Sequence, residues 1–271
     1  MGFEFRASCF VLGPSYLGLP FTLFPFPLSP FPFSLYPFSH TPILPHAHPQ
    51  MRLHHTHPWD VTPKEAVAIQ RELAPLVREE PLPEDIETVA GLDVSVRGDQ
   101  VRAAVVVLRL PEIGVVDQAI WEGPVVFPYI PGLLSFREIP AILPALEKLK
   151  ELPDVLMLDA QGIAHPRRFG LACHLGVLLD KPALGVGKSR LVGHHEEPDP
   201  MKGATADLLH QGDLIGRVVR TRENVKPVFV SYGHRCTLDD SVNLTLRLAT
   251  KYKLPEPTRL AHRLSYRGVI T

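Results

Sequence analysis

The chain has 271 residues, with 28 Lys and Arg against 29 Asp and Glu and a formal charge of −1. No global basic field marks a nucleic-acid binder, so any such contact must be local. Its three cysteines, Cys9, Cys173 and Cys236, have no framework spacing, which excludes a disulfide scaffold and fits a reduced cytoplasm.

The first fifty residues hold ten of the 29 prolines and nine of the 13 phenylalanines, and Glu4 and Arg6 are their only charged side chains. Runs such as Phe24-Pro25-Phe26-Pro27 cannot form a helix, because proline lacks a backbone donor and clashes with the preceding turn. Pro14, Pro20, Pro25 and Pro27 interrupt the most apolar stretch and no small-x-small cleavage site follows, which disfavours a signal peptide or membrane anchor. Met51 is read as the initiator of the folded part, and residues 1–50 as a Pro/Phe-rich extension that is either disordered or untranslated upstream sequence. The 221 residues from 51 to 271 are enough for one α/β domain.

Thr62-Pro63-Lys64-Glu65 combines a capping box with proline at the first helical position, and Ala66, Ile69, Leu73 and Leu76 follow at helical spacing. Next comes Thr88 to Val96, whose alternation predicts a strand with Leu92, Val94 and Val96 on one face and Val89, Gly91, Asp93 and Ser95 on the other. Arg97-Gly98-Asp99-Gln100 is a turn leading to Val101–Leu110, and Gly114–Val126 is a third strand, so an antiparallel meander is expected. The pattern then alternates: a helix around Ala141–Leu152, a strand ending at Asp159, a helix around Phe169–Leu179, and a strand at Ala183–Val186. That alternation predicts parallel strands with crossover helices. Leu214–Arg222 and Val228–Ser231 add two strands, and Thr237 with Asp240 caps a last helix carrying Leu238, Val242, Leu246 and Ala249. The fold class is therefore α/β, a mixed sheet with a meander followed by parallel strands, flanked by helices.

Asp93 is a charge within an otherwise half-buried strand. Burying a carboxylate costs several kcal/mol unless it is paired or binds a cation, and Gly91 leaves open space beside it on the same face. Asp159 ends another apolar run, and two strand acids of this kind point to a divalent-metal site. Between them, Pro128-Tyr129-Ile130-Pro131-Gly132 is a stiffened loop presenting apolar side chains that a soluble protein would normally bury. Glu138 is either part of a capping box with Ser135 or a ligand. Asp159 through Gly170 leaves a strand end and reaches a helix start with His165, Arg167 and Arg168, where phosphate would fit. Gly187-Lys188-Ser189 lacks the glycine spacing of a phosphate loop, Pro182 standing where that glycine belongs, so Lys188 is a surface lysine or a phosphate contact. His194-His195-Glu196-Glu197 lacks the i, i+4 histidine pair of a zinc helix. His234, just past a strand end, is structural or catalytic.

Together these segments resemble the endonuclease V (deoxyinosine 3′-endonuclease) family over about Ile86 to Leu248. The residues that carry the likeness are Gly91-Leu92-Asp93, Pro128 to Gly132 through Phe136-Arg137-Glu138, Asp159 through Gly170, Gly187-Lys188-Ser189-Arg190-Leu191, and Val230-Ser231 with Gly233-His234. The resemblance implies a ribonuclease-H-like fold and a deoxyribonuclease that needs Mg²⁺, with Mn²⁺ as a substitute. It implies cleavage of the second phosphodiester 3′ to deoxyinosine, leaving 3′-hydroxyl and 5′-phosphate ends and initiating DNA repair. Asp93, Glu138, Asp159 and His234 become the expected catalytic set, with Asp93 and Asp159 on the metal. Tyr129, with Pro128, Ile130 and Pro131, becomes a strand-separating wedge, and His165, Arg167, Arg168 and Lys188 become nucleic-acid contacts. The implied partner is deoxyinosine-containing DNA, with inosine-containing RNA as an alternative, for a cytoplasmic monomer without a membrane. An inosine-specific endoribonuclease, another ribonuclease-H-like nuclease, and a catalytically silent lesion-binding module are the competing readings. Ala160 stands where the family usually has glycine, adding a methyl group beside the expected base pocket.

Overall fold

The computed structural model describes residues 51–270, and the expected extension at residues 1–50 lies outside the described residues. Eight strands form one sheet: β1 (Thr88–Arg97), β2 (Gln100–Arg109), β3 (Gly114–Pro124), β4 (Val155–Leu158), β5 (Ala183–Gly187), β6 (Thr205–His210), β7 (Asp213–Val219) and β8 (Val228–His234). Their spatial order is β3-β2-β1-β4-β5-β8-β7-β6. β1, β2 and β3 pair antiparallel, β4 lies parallel to β1 and β5 parallel to β4, and β8 returns antiparallel to β5. This is the mixed ribonuclease-H-like sheet, a meander followed by parallel strands.

Five α-helices flank it: α1 (Pro63–Leu73), α2 (Leu134–Leu146), α3 (Leu171–Leu179), α4 (Leu238–Leu248) and α5 (Glu256–Arg267). The capping boxes at Thr62/Glu65 and Thr237/Asp240 form as expected, each side chain accepting from the other residue's backbone amide. Every residue of α3 is buried, as a helix apolar all round must be. Among the described residues, no helix is long and apolar enough to cross a membrane.

The α2 expectation needs correction. The helix starts at Leu134, not near Ala141, and contains Pro140 and Pro144. Each proline removes a backbone hydrogen bond, at a cost of up to about 3 kcal/mol. Burial of Phe136, Ile139, Ile142, Leu143 and Leu146 opposes that loss, because packing of an apolar face dominates helix stability in a folded chain. Leu133 is the N-cap and no side chain caps it, so Ser135 and Glu138 do not form a capping box and both lie inside the helix.

Alternate residues of each strand serve opposite cores. Leu92, Leu156 and Leu158 pack with α2 and α3 residues such as Ile142 and Leu175, whereas Met157, Leu184, Val186 and Val230 pack with Val242 and Leu248 of α4. Ala104, Val106 and Leu108 of β2 meet Ala261 and Leu264 of α5. The face of β1 bearing Gly91, Asp93 and Ser95 is thus covered by α5. The space expected beside Gly91 is occupied: a Cβ there would lie 2.0 Å from the backbone carbonyl of Pro257.

Candidate active site

Asp93 reaches the α5 side of the sheet, where its Oδ2 accepts from Ser265 Oγ at 2.5 Å and lies 3.3 Å from His262 Nδ1. Asp159 follows β4, the parallel neighbour of β1, and its amide donates to Leu92 O at 3.2 Å. This fixes the two acids side by side, on adjacent central strands toward the carboxyl end of β4. One ligand atom each from Asp93, Asp159 and His262 lies within 4.8 Å of the others. Lys188, just past the end of β5, forms an ion pair with Asp159.

The electrostatics follow from this proximity. Glu138 is pushed well above the usual carboxylate range by burial first and then by the charges of Asp93 and Asp159. Asp159 is also raised, by burial above all, while Lys188 pulls it down and Asp93 pushes it up. Three carboxyls therefore share a small region in which Lys188 neutralises one. Such a donor set, mostly oxygen with one imidazole, suits a hard divalent cation of the Mg²⁺ or Mn²⁺ type, and the geometry of Asp93, Asp159 and His262 fits it.

A pocket of about 350 Å³ adjoins the acids, lined by Tyr129, Ile130, Gly132, Ser135, Asp159, Ala160 and Gln161 among others. Tyr129 at the loop tip is 67% exposed, with Pro128 and Pro131 exposed on either side. Ile130 instead turns inward against Phe127, Leu133 and Phe136. The loop's far end is held at one atom, the Gly132 carbonyl oxygen. It accepts from Gln70 Nε2 at 3.0 Å, His165 Nε2 at 2.9 Å and Arg167 NH2 at 2.6 Å. Gly132 itself has φ +81°, a conformation that glycine adopts without steric penalty.

Two of the expected nucleic-acid contacts, His165 and Arg167, take part in this clamp. His165 is buried, with Nδ1 accepting from the Arg167 amide and Nε2–H donating to Gly132. Arg167 also donates to Gln70 Oε1 at 2.6 Å. Arg168 reaches the β6–β7 hairpin, donating to His210 O and Asp213 Oδ2. His165 and Arg167 thus hold the loop at Gly132, and Arg168 holds the β6–β7 hairpin. Lys188 remains exposed.

His234 is not at this site. β8 runs antiparallel to β5 with His234 opposite Ala183 and Phe229 opposite Gly187, so the carboxyl end of β8 lies at the other end of the strands. The separation along the strand is roughly 13 Å. His234 there accepts from Arg78 N at 3.2 Å and donates to Asp180 Oδ1 at 3.1 Å, within an ion-pair cluster containing Arg235. The histidine beside the acids is His262, on a helix that the sequence reading did not identify. Its signals were present: Glu256 in the first turn, Pro255 and Pro257 at the start, and Gly268 at the end with φ +79°.

Residues 71–263 match the endonuclease V family model. The chain belongs to the endonuclease V family. An endonuclease V from Trichormus variabilis is 48% identical over 218 residues, covering 79% of this chain and 99% of the relative. The crystal structure of endonuclease V from Streptomyces avermitilis is similar with a TM-score of 0.75 at 45% identity, over 81% of this chain and 97% of that one. Ciona intestinalis endonuclease V, in complex with a 24mer DNA containing an inosine followed by a ribo-adenosine, matches with a TM-score of 0.67 at 28% identity, over 76% of this chain and 96% of that one. Endonuclease V membership makes the protein a nuclease, and the acidic cluster is its candidate metal centre.

Proposed function

We propose that the protein is a Mg²⁺-dependent endonuclease that recognises deoxyinosine in DNA and cleaves the second phosphodiester 3′ to it, as the first step of lesion repair. The observation that carries this reading is the gathering of Asp93, Asp159 and His262 within 4.8 Å, next to a pocket walled by the Tyr129 loop. Asp93, Asp159 and His262 would hold the cation, with Glu138 beside them. When bound, the ion supplies Lewis-acid charge for an in-line displacement and lowers the pKa of a coordinated water.

The protein's own residues do the rest. Ser265 orients Asp93, and Lys188 balances Asp159 and can meet a backbone phosphate as a point charge. Tyr129 fills the step that the lesion base vacates, offsetting part of a few kcal/mol of unstacking. The prolines around it and the triple clamp on Gly132 hold that loop ready, so little order is lost on binding. The pocket receives the extruded base, with Ala160 in its wall.

All the acids expected of a nuclease are present, which favours catalysis over a silent lesion-binding module. The ribo-adenosine following inosine in the Ciona complex makes a ribonucleotide linkage the second substrate to consider, as for an inosine-specific endoribonuclease. Two free buried cysteines, Cys173 and Cys236, suit a reducing cytoplasm. Residues 1–50 are proposed to be dispensable, the working domain starting at Met51. The test is cleavage of labelled DNA and RNA strands with one inosine, with and without Mg²⁺, by the wild type and by Asp159→Asn. Metal-dependent cleavage at one position 3′ to inosine, lost in the variant, is the expected result; metal-independent cleavage or none would refute the reading.

A further inference from the structure

A directional chain of hydrogen bonds ends on the pocket wall. Pro58 O can only accept, so His57 Nδ1, at 2.9 Å from it, carries a hydrogen. A neutral His57 then has a bare Nε2, and His174 Nε2, 2.7 Å away, must donate to it. His174 Nδ1 is consequently an acceptor, and its partner at 3.0 Å is Ser135 Oγ. The Ser135 hydroxyl hydrogen is thereby committed to His174. Ser135 is a buried residue of the pocket lining, and what its hydroxyl has left to offer is lone pairs alone.

Burial supports the neutral state of both rings. It holds His174 well below the ordinary histidine range, and it lowers His57 against the opposing hydrogen bond to Pro58 and the charge of Glu72. The rings are also packed among Trp59, Phe136 and Phe169, with centroids 4.3–5.9 Å apart.

We propose that Ser135 is a specificity-determining residue whose Oγ, oriented by the His57–His174 pair, acts as an acceptor-only group toward the base in the pocket. This rests on the pocket being the site of the extruded base. Hypoxanthine carries a hydrogen on N1, whereas N1 of adenine is an acceptor. An acceptor-only wall group therefore favours the deaminated base and meets adenine with a lone pair against a lone pair. A freely rotating serine would serve both. The positioning residues His57 and His174 convert an ambivalent hydroxyl into a one-way one.

The test compares single-turnover cleavage of strands carrying inosine or unsubstituted purine nucleoside, which lacks the N1 hydrogen and the O6 atom. Ser135→Ala should lower cleavage of inosine about tenfold, the worth of one hydrogen bond, and should not lower that of the purine strand, whose bare N1 opposes the Ser135 lone pair. His57→Phe keeps an aromatic ring in the cluster but removes the acceptor for His174, so it should reduce the inosine-over-purine preference with no further reduction in the double variant. Equal losses on both strands in Ser135→Ala, or an unchanged preference in His57→Phe, would overturn the proposal while leaving the nuclease reading intact. A wild type that cuts neither strand would overturn both.

Discussion

Gly91→Ala separates the structural role of α5 from a merely local effect at β1. The added carbon would sit 2.0 Å from the carbonyl carbon and oxygen of Pro257 and 2.6 Å from Thr258 N. These are backbone atoms at the start of α5, so no side chain can rotate away. Carbon contacts need about 3.5 Å, so the helix must move outward by about 1.5 Å. Overpacking of this kind costs about 1–3 kcal/mol. The functional cost should be larger, because α5 carries Ser265 and His262, both of which meet Asp93. A misplacement near 1 Å in a catalytic constellation is worth on the order of 100-fold in rate. Urea denaturation and single-turnover cleavage of an inosine strand at saturating Mg²⁺ measure the two effects. A variant that keeps cleavage within threefold of wild type while losing the expected stability would show that α5 does not set the geometry of the acids.

Four other outcomes follow from the contacts described above. His262→Gln should lower cleavage on the order of 100-fold with little loss of stability, since the side chain is half exposed. His234→Ala should do the opposite, removing roughly 2 kcal/mol of stability by breaking buried hydrogen bonds without altering the rate per folded molecule; the reverse pattern would restore His234 to the chemistry. For His165, burial and then the charge of Arg167 lower the pKa from 6.5 to about 4. The folded state therefore binds fewer protons than the unfolded, so its contribution is intact above pH 6.5 and is lost as pH falls toward 4, amounting to about 3 kcal/mol. His165→Gln should flatten that part of the stability–pH curve, and an unchanged acid slope would contradict the assignment. Tyr129→Ala should reduce cleavage of inosine in duplex DNA at least tenfold more than in single strands, where there is less stacking to break; equal losses on the two would remove the wedge.

Periodicity and caps are local properties, and the sequence carried them reliably. The meander, the parallel strands after it and the helices at Thr62 and Thr237 all appear where their patterns lie. The two strand acids were legible for a related reason: a charge interrupting an alternating apolar run is anomalous in any fold, and Asp93 and Asp159 do meet. Likewise the proline-bracketed loop exposes Tyr129, although Ile130 packs inward, a choice made by the neighbouring Phe127 and Phe136.

Direction and long-range partnership were decided only in three dimensions. A histidine after a strand lies at the ligand edge if the strand is parallel to its neighbours and at the far edge if it is antiparallel, and nothing within Val228–His234 encodes which. The return of β8 carries His234 away, while α5, distant in sequence from Asp93, delivers His262 to it. From its own segment Glu138 read as either a cap or a ligand, because Ser135 stands three positions before it. It became part of the acidic cluster because tertiary burial of α2 holds the helix through two prolines and shifts its start to Leu134. That His165 and Arg167 both donate to the Gly132 carbonyl oxygen could not be read from their own segment. Side-chain chemistry and local spacing belong to the sequence, but which polar group satisfies which depends on strand direction and helix docking, set by the cooperative burial of the core.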